Sequence, residues 1–187
     1  MFYETEVKSF IRIPPSEIKK NIQETMLEKL RSNFESFVSQ ELGFVISIKN
    51  ITDIGEGIII PEDGAAYYET SFKIITYKPE LQEVTLGKIT DITNFGAFIN
   101  IGPIEGMIHI SQTMDDFVSF SKAGVLQGKD SKRAVKKGDK CRARIIAVSY
   151  KDLANPKIGI TMRQPHLGPL SYIEEDLKKS KKEKKEE

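Results

Sequence analysis

Three side chains in one short stretch of this 187-residue chain are of the types that hold a nucleobase: Phe95, Phe98 and His109. They lie within GKITDITNFGAFINIGPIEGMIHIS, residues 87–111. Side chains alternate faces along a strand, so burying Ala97, Ile99 and Ile101 leaves Phe98 and Asn100 outward. A following strand that buries Ile108 and Ile110 exposes Met107 and His109 by the same rule. Gly96 can support a bulge that brings Phe95 to the side of Phe98. Exposed rings offer faces on which bases stack, while nearby cations track phosphates. Candidate cations are Lys88, Arg163 and the series Lys140, Arg142 and Arg144, which alternates outward against Cys141, Ala143, Ile145 and Ala147. A plainer reading stands beside this one, with Phe95 and Phe98 closing the end of a barrel and His109 an ordinary surface residue.

Charge sharpens the contrast between the two halves. The net charge is +1, yet residues 1–80 hold 9 Lys/Arg against 13 Asp/Glu, and residues 81–165 hold 13 against 8. Residues 166–187 hold 6 of each. The span 122–144 carries Lys122, Lys129, Lys132, Arg133, Lys136, Lys137, Lys140, Arg142 and Arg144 against Asp130 and Asp139. Such a block suits phosphate binding, a solvated basic loop, or the grip of an acidic protein.

Other chemistry has little to draw on. One cysteine, Cys141, allows no internal disulfide, and with His109 and His166 it falls short of a structural zinc set. Gly124-Val-Leu-Gln-Gly128-Lys129 is one residue short of a phosphate-binding loop, and Asp130 stands where that loop needs Ser or Thr. Asp115 and Asp116 are adjacent, so an extended segment points them apart. No cofactor, no metal and no catalytic role for the polypeptide alone are expected. No run of some 18 apolar residues spans a membrane, and MFYETEVKSF lacks the basic start of a signal peptide, so a cytoplasmic location is expected.

The elements that position these residues fall into two domains and a tail. FYETEVKSFIRI alternates as a strand that ends at Pro14-Pro15. From 16 to about 38, Ile18, Ile22, Met26, Leu30, Phe34 and Phe37 recur at helical spacing and predict one long helix of about six turns. FVISIKNI, GIIIP and AAYYETSFKIITYKP read as three strands. Asp53, Gly55, Glu56 and Gly57, then Pro61, Asp63 and Gly64, supply turn residues between them. The predicted domain 1–80 is therefore α+β, a sheet covered by one long helix. Strands at 82–92, 95–101, 106–110, 140–149 and 157–163 predict an all-β barrel of OB type over 81–165. Gly87, Gly96, Gly102, Gly106, Gly138 and Gly159 are assigned to turns, bends or bulges. The excursion 112–139 is expected to hold a helical turn near QTMDDFVSF and a basic hairpin. Residues 166–187 form a charged tail, with KKSKKEKKEE a frayed helix end or disordered.

Gly87, Phe95-Gly96-Ala97-Phe98, Gly102, Gly106, His109-Ile110-Ser111, Gly138-Asp139 and Ile158–Arg163 together resemble the S1 domain, an RNA-binding OB-fold module. In that family two aromatics, a histidine and basic residues of the last strands line the RNA face. The resemblance carries those roles onto Phe95, Phe98, His109 and Arg163. Over residues 1–175 the chain is similar to the larger stalk subunits, E-prime, of archaeal RNA polymerase, counterparts of the seventh subunit of eukaryotic polymerase II. Met114-Asp115-Asp116, Met162-Arg163-Gln164-Pro165 and Leu167-Gly168 contribute to that likeness. It implies an accessory, non-catalytic subunit that docks on the polymerase core near the clamp through Asp53–Gly57 and Pro61–Ala65. It also implies a heterodimer with the smaller RNA polymerase stalk subunit, and contact with emerging single-stranded RNA. A free-standing S1-domain factor in translation or RNA decay is the alternative.

Overall fold

Alternation in FYETEVKSFIRI produces the expected strand, β1 (Phe2–Ile13), with Thr5, Val7, Ser9, Ile11 and Ile13 on the less exposed face. The computed structural model describes residues 1–17, 21–121, 124–153 and 156–186, so Ile18 and Lys122 lie outside the described residues. It divides into two units, Met1–Lys78 and Pro79–Glu187.

The long helix expected over 16–38 is a 13-residue helix, α1 (Ile22–Phe34). Pro15–Glu17 form a separate 3-10 turn, and the Asn21 side chain caps α1 by accepting the Gln23 N–H. At the other end Ser36 adopts φ 68°, and the Phe37 N–H bonds back to the Phe34 carbonyl. The cap residue Glu35 has already left helical geometry at ψ 135°, and left-handed Ser36 then turns the chain so that Phe37 does not extend the helical stripe. At 1.5 Å per residue α1 is about 20 Å long, against about 40 Å for a 12-residue strand, so it covers only part of the sheet. Met26 and Leu30 still join Ile11, Ile13, Val45, Ile48, Phe72 and Ile74 in one buried cluster.

After β2 (Val38–Ser39), β3 (Gly43–Ile59) runs antiparallel to β4 (Ala66–Tyr77) in a sheet ordered β1-β4-β3-β2. FVISIKNI and most of GIIIP are therefore one strand, and Asp53–Gly57 lie inside it rather than in a turn. Register shifts at Val45/Ser47, Ile48/Asn50, Ile51/Asp53 and Ile54/Gly57 insert extra β3 residues. Val45, Ile48, Ile51 and Ile54 consequently oppose Thr76, Ile74, Phe72 and Thr70, a period of three facing a period of two. Each bulge keeps an apolar side chain on the core face despite the odd spacing.

The second unit contains β5 (Val84–Thr93), β6 (Gly96–Asn100), β7 (Glu105–His109), β8 (Val118–Ser121), β9 (Val125–Gly128), β10 (Ala134–Lys136), β11 (Lys140–Ser149), β12 (Lys157–Thr161) and β13 (Gly168–Pro169). It ends in α2 (Leu170–Glu186), which runs into KKSKKEKKEE. β12, β7, β6, β5 and β11 are neighbours in that order, and β12 also pairs with β11, which closes a five-stranded barrel. Ile89, Ala97, Ile99, Ile108, Cys141, Ala143, Ile145, Ile158 and Ile160 fill it.

Gly87, Gly106 and Gly159 sit within strands, not at turns. A Cβ on Gly87 or Gly106 would meet the Ile99 or Ile160 side chain at 2.6 or 2.3 Å. Ala147 is exposed rather than inward, because a shift between Ile145 and Ala147 turns the end of β11 over. The excursion forms a 3-10 turn at Ile110–Gln112 and the sheet β10-β9-β8, so VSFS is a strand and not part of a helical turn. No described helix is long and apolar enough to cross a membrane.

Candidate nucleic-acid interface

β6 and β7 lie side by side with Gly96 opposite His109 and Phe98 opposite Met107. This register brings Phe98 and His109 to the outer face, while Ala97, Ile99 and Ile108 are fully buried beneath. Gly96 permits the close approach, since a Cβ there would sit 2.0 Å from the Ile108 carbonyl oxygen. Phe95 precedes the strand, 46% exposed, and its ring meets Phe98 edge-to-face at 6.2 Å and 89°. His109 is exposed, with Nδ1 2.8 Å from the Ser111 hydroxyl and accepting the Ser111 N–H.

The cations divide between two places. Arg163 follows β12, the parallel neighbour of β7, and donates to Asp115 through Nε at 2.9 Å. Lys88 opposes Asn100 of β6 on one side and Lys140 of β11 on the other, forming a row across three strands. Arg142 opposes Leu86 and Arg144 opposes Val84, further along β5 from Asp91, the neighbour of Phe98. There they accompany exposed Val84 and Leu86 rather than the rings. The Arg144 Nε is buried without a hydrogen-bond partner among the described residues. Asp91 is a carboxylate beside Phe98, loosely paired with Lys137 at 3.9 Å.

The turn candidates of the N-terminal half occupy one end of its sheet. Asp53, Gly55, Glu56 and Gly57 lie on the bulged length of β3, and Pro61, Asp63 and Gly64 in the β3–β4 turn. Asp63 accepts both Arg12 Nε and Nη2, at 2.9 and 2.6 Å, and the Tyr67 hydroxyl at 2.7 Å. The Arg12 and Tyr67 hydrogen bonds hold its carboxyl down at about 2. Sequence reasoning missed Ile58, Ile59 and Ile60, exposed at 57, 71 and 46%. Their signal was present in three consecutive isoleucines ahead of Pro61-Glu-Asp-Gly.

A barrel that carries an aromatic pair and a histidine on its outer face belongs to the S1 class, and residues 78–153 match the family described as S1 RNA binding domain. Residues 8–64 match the "SHS2 domain found in N terminus of Rpb7p/Rpc25p/MJ0397". The chain is 40% identical over 180 residues to "DNA-directed RNA polymerase subunit Rpo7" of Saccharolobus solfataricus, covering 95% of this chain and 100% of the relative. It is 37% identical to the subunit of the same name in Sulfolobus acidocaldarius, over 97 and 100% of the two chains. Against "DNA-directed RNA polymerase II subunit rpb7" of Schizosaccharomyces pombe it is 25% identical, over 90 and 99%. This chain belongs to the Rpo7 family of DNA-directed RNA polymerase subunits, accessory and non-catalytic, with an S1 domain in its C-terminal half. Likeness along the whole length of polymerase subunits does not favour the free-standing factor.

Proposed function

We propose that this stalk subunit captures emerging single-stranded RNA, without sequence preference, on the outer face of β6 and β7. The observation that carries the reading is the Phe95–Phe98 ring pair standing beside an outward His109. Stacking contributes about 1–3 kcal/mol per base, so two rings give roughly 2–6 kcal/mol before ordering costs. Millimolar affinity corresponds to about 4 kcal/mol, so the barrel alone binds weakly. Weak binding suffices for a protein already fixed beside an RNA exit, where tethering raises the effective RNA concentration. Lys88 and Lys140 are best placed to track phosphate next to the rings, with Arg163 at the opposite edge. Arg142 and Arg144 act at longer range.

The N-terminal unit docks on the polymerase core near the clamp through the Asp53–Gly57 length of β3 and the turn containing Pro61, Asp63 and Gly64. Exposed Ile58, Ile59 and Ile60 support that reading, because apolar side chains left in water at the end of a sheet are often covered by a protein contact. The smaller RNA polymerase stalk subunit completes a heterodimer, and exposed Val84 and Leu86 beside Arg142 and Arg144 offer a candidate surface for it. The cytoplasm of an archaeal cell is the corresponding location.

Phe98→Ala is expected to weaken single-stranded RNA binding by roughly 5- to 150-fold, the equivalent of one stacked base, with polymerase assembly unchanged. Anisotropy of labelled RNA at low salt measures the first and co-purification with the large polymerase subunits the second. Unchanged RNA affinity would sink the ring-face assignment.

A further inference from the structure

Phe117 is 76% exposed, the most exposed large apolar side chain among the described residues. It stands immediately before β8, outside the strands that make the barrel. Its backbone is nevertheless fixed. The Phe117 carbonyl accepts the Lys129 N–H at 2.9 Å. The preceding Asp116 carboxylate accepts the Asp130 N–H, the Ser131 N–H and the Ser131 hydroxyl. An exposed ring on a braced backbone offers a stacking surface with little left to order on binding.

A cavity of about 470 Å³ opens at this ring, lined by Ser111, Asp115, Asp116, Phe117, Asp130 and Arg163. That volume falls within the roughly 300–1,000 Å³ of small-molecule pockets. The cavity adjoins the barrel face, because Ser111 in its wall is the hydrogen-bond partner of His109. Two of its three carboxylates are committed. Asp115 pairs with the Arg163 guanidinium at 2.9 Å, and Asp116 is taken up by the donors above. A neutral base can therefore enter where Asp130 would repel a phosphate, while the exposed Lys129 remains for the backbone outside.

We propose that the Phe117 cavity is a further nucleotide subsite, in which a base of single-stranded RNA stacks on Phe117 as the strand passes from His109 across Ser111 and Arg163. The proposal rests on the RNA reading of the barrel face and extends it onto the β8–β10 excursion.

The natural chain contains no Trp, so Phe117→Trp installs a single reporter ring at an exposed position. The full chain carrying it is titrated with oligoadenylate of roughly 12 nucleotides, within the site size of one OB fold. The Trp emission is expected to be quenched saturably, with the midpoint found by anisotropy of the labelled RNA. Phe117→Ala is expected to weaken that RNA about 5- to 150-fold, as loss of one stacking platform requires. Intact RNA binding without quenching, or unchanged affinity in Phe117→Ala, overturns the subsite and leaves the barrel face standing. Absence of RNA binding by the natural chain removes the barrel-face reading and the subsite with it.

Discussion

Asp63 shows how a single carboxylate can hold a turn together. Arg12 of β1 and Tyr67 of β4 are register partners, so their side chains emerge together at the end of the sheet. Asp63 reaches both from the β3–β4 turn, with a two-pronged Arg contact that fixes orientation as well as distance. Its carboxyl lies at about 2, below the ordinary 3.8, so the folded state favours the ionised form. The resulting stabilisation is fully present above the unfolded value near 4 and is lost as pH falls towards about 2. The group is exposed, so solvent screening keeps the effect small. Urea midpoints of the natural chain and Asp63→Asn are expected to differ at pH 5–7 and converge by about pH 2. A constant difference across that range would remove the ion pair as its cause. The Asp63 carboxylate thus has a bracing role beside any part in docking.

At the scale of elements, the bulged strand β3 carries the least familiar pattern. Isoleucines at 46 and 48 would share a face under strict alternation, yet Ile46 is 38% exposed and Ile48 only 4%. The extra residue between Val45 and Ser47 separates their environments. Ile48→Ala is expected to cost about 2–4 kcal/mol by leaving a cavity in the cluster that holds Ile74 and Met26, and Ile46→Ala under about 1 kcal/mol. Chemical denaturation of the two variants measures the contrast, and equal losses would contradict the period-three core face. Bulges also twist a strand and blunt its edge. That matters here because β2 pairs only with Gly43 and Phe44, leaving the rest of β3 at the sheet edge. In the barrel unit, Arg133 forms an ion pair with Asp176 and lies 5.2 Å from the Tyr172 ring centroid. The Tyr172 hydroxyl accepts the Ala134 N–H and donates to the Ala134 carbonyl, so α2 is fastened to β10. Composition marks 166–187 as a charged tail; the anchoring partners of its Tyr172 and Asp176 lie some forty residues earlier in the chain.

For the whole molecule, the near-neutral total conceals an acidic N-terminal half and a basic barrel. RNA binding should therefore respond to salt through the barrel cations alone. With three or four phosphates contacted, log affinity against log salt is expected to have a slope of about −2 to −3 for the full chain. A slope near zero would show that the basic residues play no part in holding the strand. The sequence by itself determined the barrel strands, the inward and outward sides of β6 and β7, and the likeness to polymerase stalk subunits. Those features follow from local periodicity and from motifs contained in short stretches, which need no knowledge of distant partners. Only the tertiary structure decided that Asp53–Gly57 is strand rather than turn, and that α1 stops at Phe34. It alone aligned Lys140, Lys88 and Asn100 in one row across three strands, and set Arg142 and Arg144 opposite exposed Leu86 and Val84. Register, bulges and strand neighbours arise from pairing between segments tens of residues apart, and a single inserted residue reassigns every side chain beyond it.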